Sequence, residues 1–114
     1  MEKQLGCLLT VRENRGEEEP REFALIQGDC IGIVSAYPER LIGIAPGGFN
    51  ERNDRWLIKI SHVSPNSIKI AVNAAEFSKS RQAETIRLNV PLSLQAVNGA
   101  TYEIAIKEIK HLFA

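Results

Sequence analysis

The chain lacks several features that would assign it at once to a functional class. It has two cysteines, Cys7 and Cys30, which are far apart, so there is no C-x-x-C motif and no disulfide framework. No apolar run approaches the roughly 20 residues that a membrane-spanning helix needs. The first residues also lack the apolar core and the cleavage site of a signal peptide. We therefore expect a cytoplasmic protein with reduced thiols and no membrane contact.

The chain also lacks an excess of charge of either sign. Lysine and arginine together number 14, and aspartate and glutamate together number 14, so the formal net charge is zero. Strongly basic chains favour nucleic acid as a partner, and this neutrality favours no such class. Any charged binding surface must therefore come from local segregation of charge. A net charge near zero also favours self-association.

The chain does have the size and composition of a single globular domain, which we expect to cover residues 1–114. Its 114 residues are 44% hydrophobic and 25% charged, close to the average for globular proteins. A chain of this length buries enough surface to form a core without disulfides or metals.

The clearest structural signal is the segment 56–73 (WLIKISHVSPNSIKIAVN). Two alternating apolar runs flank a Ser-Pro-Asn-Ser turn, which predicts a β-hairpin. A loop with an odd number of residues, 65–67, would place both apolar sets on one face. The side chains expected on that inner face are Trp56, Ile58, Ile60, His62, Ile68, Ile70 and Val72.

Alternation elsewhere predicts further strands. Residues 4–12 form a first strand, and residues 23–45 form a three-strand meander with a tight turn at Gly28-Asp29 and a second turn at residues 36–39 that sets Ile33 opposite Ile42. Residues 85–97 form a long strand that Pro91 places at an edge or bends. The turn that follows at residues 97–99 sets Leu94 opposite Tyr102 and Leu92 opposite Ile104. The meander is apolar on both faces, so we expect a second sheet on one side and a helix, a loop or another subunit on the other.

Together these segments predict an all-β domain, a small β-sandwich or barrel of about eight mostly antiparallel strands. The pattern leaves open whether residues 74–84 and 106–114 are helical.

Catalytic and metal sites have little support in the sequence. A small enzyme with a site near Cys30 and His62 would need a thiolate beside a base, and nothing in the sequence links the two residues. Cys7 and His111 add no pair with metal-ligand spacing. We predict no cofactor, no metal and, on balance, no enzyme.

Two groups of residues are candidates for binding. The loop 45–55 combines a glycine pair, whose N–H groups are able to bind an anion, with polar side chains, although it lacks the P-loop lysine. Its candidate residues are Gly47, Gly48, Asn50, Arg52 and Arg55. A basic strip for nucleic acid or a protein partner would consist of Lys59, Lys69, Lys79, Arg81 and Arg87 together with Arg12 and Arg15.

Residues 58–74 (IKISHVSPNSIKIAVNA) resemble the central hairpin of the carbon storage regulator family, which are small dimeric RNA-binding translational regulators. That family has an alternating strand, a Gly-Asn turn and a strand of the type V-R-I-G-I-N-A-P. The residues that follow this pattern without a gap are Asn66, Ile68, Lys69, Ile70, Ala71, Val72, Asn73 and Ala74.

Two shorter segments are similar to the same family. The segments are Leu9-Thr10 with Arg12 and Gly16-Glu17, which resembles L-T-R…G-E, and Ser80-Arg81 with Glu84, which resembles V-H-R-E-E. The resemblance implies RNA contacts by Thr10, Arg12 and Arg81. The chain departs from the family in the 40 residues between Glu17 and Ile58, where the family has only a short strand and link.

We therefore expect a non-catalytic binding or regulatory module that acts through protein–protein contact or self-association, as a dimer or with a protein partner. The alternative is an RNA-binding post-transcriptional regulator. The third is the small enzyme with a site near Cys30 and His62.

Overall fold

The chain folds into two antiparallel β-sheets, which confirms the all-β prediction. The computed structural model describes residues 3–13, 19–36, 39–44, 56–77, 83–97 and 99–113, with only the backbone described for residues 33–36, 39–41 and 113. The elements in these ranges are β1 (Lys3–Glu13), β2 (Arg21–Ile26), β3 (Cys30–Ala36), β4 (Glu39–Gly43), β5 (Trp56–Ser64), β6 (Ser67–Val72), α1 (Ala74–Phe77), β7 (Ala83–Arg87), β8 (Leu92–Gln95) and β9 (Thr101–Phe113).

The two sheets enclose one core. Sheet A has the strand order β2-β1-β9-β8, and sheet B has the order β4-β3-β5-β6-β7. No ladder between the described strands joins the sheets, so the fold is a sandwich and not a closed barrel. Apolar side chains from both inner faces form a single buried cluster, to which sheet A contributes Leu9 and Tyr102 and sheet B contributes Ile58 and Ile70. The outer faces of the two sheets therefore point in opposite directions.

The predicted meander is only half correct. Ile33 lies opposite Ile42 in the β3–β4 pair, as predicted. The hairpin across Gly28-Asp29 is wrong, because β2 pairs with β1 in sheet A whereas β3 belongs to sheet B. Of the apolar residues of this segment, Leu25 from sheet A and Ile31 and Ile42 from sheet B are buried in the shared core, whereas Ile44 is exposed.

The turn at Gly28 crosses between the sheets because β5 supplies its hydrogen-bond partners. The N–H of Gly28 donates to the carbonyl oxygen of Ile60 at 2.8 Å, and the N–H of Ile60 donates to the carbonyl oxygen of Asp29 at 2.8 Å. A carboxylate oxygen of Asp29 accepts from the N–H of Ile26 at 2.9 Å. Gly28 has φ +95°, a conformation that side chains with a Cβ disfavour. These bonds hold β2 and β3 at an angle that takes the chain from one sheet to the other.

The β5–β6 hairpin is present, but its register differs from the predicted one. Ser64 lies opposite Ser67, so the turn contains only Pro65 and Asn66. The extra residue needed to keep both apolar sets inside lies in the strand, as a β-bulge at Ser61. The bulge turns His62 outward and exposes it, and Val63 takes the inner position opposite Ile68. The prediction that His62 faces the core is therefore wrong.

The predicted long strand 85–97 is two strands in different sheets. The break lies at Asn89, whose φ is 67°, and it leaves β7 at the edge of sheet B and β8 at the edge of sheet A. Leu94 lies opposite Tyr102 and Leu92 opposite Ile104, as predicted. Residues 101–113 continue as strand to the end of the described chain, and a short helix forms at α1.

Asn73 joins β5 to α1 and is the buried polar side chain of the described core. Its Nδ2 donates to the carbonyl oxygen of Trp56 at 2.9 Å, and its Oδ1 accepts from the N–H of Ala75 at 3.1 Å. The second bond is an N-cap, which satisfies one of the unpaired N–H groups at the start of a helix. One amide therefore fixes both the end of the hairpin and the start of α1.

The substitution Asn73→Ala should lower the free energy of unfolding by about 1–3 kcal/mol, because it leaves the buried Trp56 carbonyl and the Ala75 N–H without partners. Urea unfolding followed by circular dichroism measures the change. Asn66→Ala, in the exposed two-residue turn, is the matched control and should change stability by less than about 0.5 kcal/mol. Equal effects of the two substitutions would contradict the role assigned to Asn73.

Candidate binding surface on sheet B

The outer face of sheet B is polar and cationic across β5, β6 and β7. Alternation places Ile68, Ile70 and Val72 in the core, so the intervening residues of β6, including Lys69, point outward. On the neighbouring strands Lys59 lies opposite Ala71, and Arg87 lies opposite Ser67. Lys59, Lys69 and Arg87 are all exposed.

These three cations form a line, which we call the basic diagonal: Lys59, Lys69 and Arg87 on three adjacent strands. Lys69 lies two residues along β6 from Ala71, the residue opposite Lys59. It also lies two residues from Ser67, the residue opposite Arg87. Such diagonal positions are roughly 7–8 Å apart. His62 lies directly opposite Lys69 and is exposed, so it adds an imidazole that is able to form hydrogen bonds at the centre of the line.

Acidic side chains are scarce on this part of the sheet. Among the described strands β5, β6 and β7, the single acidic residue is Glu84, which lies opposite the core residue Ile70 and is half-buried. Its register places it on the inner side of β7, although it lines the same depression as Lys69. The net-neutral chain therefore segregates positive charge onto the outer face of sheet B.

A shallow depression of about 450 Å³ lies beside the diagonal and is lined by Lys69, Ala83, Glu84 and Thr85. Small-molecule sites are usually enclosed and mostly apolar, with few polar groups. This depression is open, and its lining combines polar and apolar surface, with one lysine and one glutamate. It fits a protruding polar group of a larger partner better than it fits an enclosed ligand.

The predicted basic strip is divided between the two sheets. Thr10, an RNA contact implied by the family resemblance, lies in β1 and is half-buried, and its hydroxyl donates to the carbonyl oxygen of Ala105 at 3.3 Å. Arg12 is exposed in β1, opposite Glu103. Both residues point outward from sheet A, so they lie on the opposite side of the sandwich from the basic diagonal. The prediction that all the cations form one strip is therefore wrong.

The remaining predicted binding residues lie outside the described part of the chain. These residues are Arg15, Gly47, Gly48, Asn50, Arg52, Arg55, Lys79 and Arg81.

The thiols are not activated for nucleophilic chemistry. Cys7 is fully buried, and burial together with the nearby Asp29 carboxylate raises its pKa to about 11. Burial also raises the pKa of the half-buried Cys30, with Asp29 adding to this effect and Lys59 opposing it. A nucleophilic cysteine needs a depressed pKa. Within the described residues, no hydrogen bond links Cys30 to His62.

Among the described side chains, no three of the types His, Cys, Asp and Glu come together to hold a metal ion. No helix in the described ranges is long and apolar enough to cross a membrane.

Comparison with known proteins adds no relative. No family model, no curated protein and no solved structure matches the chain.

Sequence reasoning misses the exposed position of His62, whereas it already places Arg87 in one basic strip with Lys59 and Lys69. The outward position of His62 depends on the bulge at Ser61, which no residue pattern marks. The position of Arg87 depends on the β6–β7 register, which is set across an intervening segment of chain. Lys59 and Lys69 were predictable from the alternation of the hairpin alone.

At pH 8, Cys7 in the native protein should react with iodoacetamide at least roughly 100-fold more slowly than in the unfolded chain. A pKa raised from 9.0 to about 11 reduces the thiolate fraction by about two powers of ten, and burial slows access further. The variant Cys30→Ala isolates Cys7, and mass spectrometry follows the reaction in buffer and in urea. Equal rates in the two states would contradict the buried position.

Proposed function

We propose that this chain is a non-catalytic binding or regulatory module that contacts an acidic protein partner through the outer face of sheet B. The observation that carries the proposal is the basic diagonal. It concentrates exposed positive charge on one face of a chain whose net charge is zero. Charge complementarity of this kind steers association and sets the orientation of the partner.

The shape of the face also supports a macromolecular partner. The side chains between the cations are small, such as Ala71, Ser67 and Thr85, so an extended acidic segment is able to approach the strands closely. Lysine and arginine stems cover the sheet while their charged ends reach outward. The open depression beside Lys69 provides a place for one protruding side chain of the partner.

Two observations count against the small enzyme near Cys30 and His62. Burial raises the pKa of Cys30, which is opposite to the shift that a nucleophile needs. The bulge at Ser61 places His62 on an exposed outer face, where nothing excludes water from a reaction. A binding role accounts for the exposed imidazole without requiring either condition.

Lys69→Glu should weaken binding of a fluorescent poly-glutamate probe by roughly ten-fold at low salt, because Lys69 is central in the diagonal. Fluorescence anisotropy gives the affinity, and raising the salt concentration should weaken binding of the unaltered chain. Arg12→Glu, the same change of charge on sheet A, is the control and should have a smaller effect. Equal losses, or no binding of the probe by the unaltered chain at low salt, would overturn the proposal.

The second candidate is an RNA-binding post-transcriptional regulator. The observation that favours it is the regular spacing of the basic diagonal, a row of cations that an extended phosphodiester backbone is able to follow. Of the described aromatic side chains, the half-buried Trp56 lies on the same side of sheet B as Lys59, opposite Gly32, so contacts to phosphates would dominate over base stacking. The resemblance to the carbon storage regulator family points instead to Thr10, Arg12 and Arg81.

RNA binding should weaken steeply with salt, and Lys69→Glu should lower the slope of log affinity against log salt by about 1. Gel-shift titrations with GGA-containing RNA hairpins measure this slope. Arg12→Ala and Arg81→Ala should weaken binding if the family resemblance identifies the contacts. No gel shift at low salt with varied hairpins would exclude this candidate and leave the protein partner.

A further inference from the structure

The second half of β9 has a free edge. On one side β9 pairs with β1 along the ladder from Tyr102 to Phe113. On the other side β8 pairs only with residues 101–104. Within the described part of the chain, residues 105–113 therefore have no strand partner on that side. Such an edge presents unpaired backbone groups to any further strand that approaches it.

We propose that this edge binds the same edge of a second copy of the chain, with the two β9 strands antiparallel about a two-fold axis at Ile109. Ile109 lies between Glu108 and Lys110, on the C-terminal side of the bulge at Lys107, so this axis sets residues 108–110 of the two copies against each other. Because β8 stops at the partner of Ile104, the β8 strand of each copy lies beyond the paired segment. The two A sheets then form one continuous sheet across the interface.

The charges around Ile109 are self-complementary for this pairing. Glu108 lies opposite Leu8 and Lys110 lies opposite Gly6, so both point outward from sheet A, and both are exposed. In antiparallel pairing about Ile109, Glu108 of one copy lies opposite Lys110 of the other, and the symmetry repeats the contact. Within one chain the Lys110 Nζ and Glu108 Oε2 are 3.8 Å apart and exposed, a weak contact that exchanges readily.

A second copy suits this edge better than an unrelated strand does. Lysines on an edge strand normally oppose pairing, because a neutral neighbour gives them no partner. A second copy supplies a carboxylate for Lys110, while Lys107 is already paired with Glu22 at 3.0 Å. The half-buried Ile109 meets Ile109 of the second copy on the core side of the sheet. The zero net charge of the chain removes long-range repulsion between copies.

This interface defines the self-association predicted from the sequence, and it lies on a different sheet from the basic diagonal. A result that contradicts binding through sheet B therefore leaves the β9 interface unaffected, and the reverse also holds. A variant that is monomeric but still binds the poly-glutamate probe would demonstrate that independence.

The test is charge reversal at the interface, followed by light scattering behind a sizing column. The unaltered chain should be a dimer. Lys110→Glu places a carboxylate at position 110 of each copy opposite Glu108 of the other copy. The dissociation constant of the dimer should therefore rise by roughly ten-fold or more. Glu108→Lys should do the same with two ammonium groups. The double variant E108K/K110E should dimerise again, because its charge pattern is once more self-complementary.

A mixture of the two single variants provides a second, independent test. K110E and E108K chains should form heterodimers, since each supplies the charges that the other lacks. Lys59→Glu, an exposed reversal on sheet B, is the matched control and should leave the dimer intact, and circular dichroism should show all variants folded. A monomeric unaltered chain at high concentration would overturn the proposal. So would a dimer that the single reversals leave unchanged, or that K59E weakens equally.

Discussion

The paired backbone hydrogen bonds between Ile60 and the Gly28-Asp29 turn determine how the two sheets are related. At this turn the chain leaves sheet A and enters sheet B, and the Asp29 N–H donates to the Ile26 carbonyl oxygen within the turn itself at 3.1 Å. Ile60 of β5 supplies the partners of the Gly28 N–H and of the Asp29 carbonyl oxygen, and backbone groups near a core are costly to leave unpaired. Once this crossing is set, Leu25 at the end of β2 and Ile31 at the start of β3 point into the same core. The sandwich follows from that convergence.

The convergence also separates the charged surfaces. On the outer face of sheet A, positive and negative side chains lie close together, as in the Lys107–Glu22 and Lys110–Glu108 contacts. On the outer face of sheet B, the described strands β5–β7 present three exposed cations, and the single acidic residue of these strands is the half-buried Glu84. A chain with zero net charge therefore has one side of balanced charge and one cationic side. Composition alone conceals this difference, because it averages over both faces.

Much of the fold was predictable from alternation, and the rest depended on partners distant in sequence. The Ile33–Ile42 and Leu94–Tyr102 pairs follow from local parity and turn residues, and both are correct. Gly28-Asp29 suits a hairpin and a crossing equally well, and only β5, about thirty residues later, distinguishes them. Of the candidate site, Lys59 and Lys69 share a hairpin and were predictable together. Arg87 joined them only through the β6–β7 register.

β-Bulges in β5 and β9 determine which side chains of these strands point to the surface. They explain why strict alternation of side chains along a strand predicts the charged surfaces incompletely. Without the bulge at Ser61, His62 would continue the inner set of Ile58 and Ile60. The bulge between Ile106 and Ile109 acts in the same way in β9. Strict alternation from Ile104 would turn Glu108 and Lys110 toward the core, where a charged pair is costly. The one extra residue keeps Ile106 and Ile109 inside and places both charges on the outer face. The same local irregularity thus protects the core and creates the self-complementary edge.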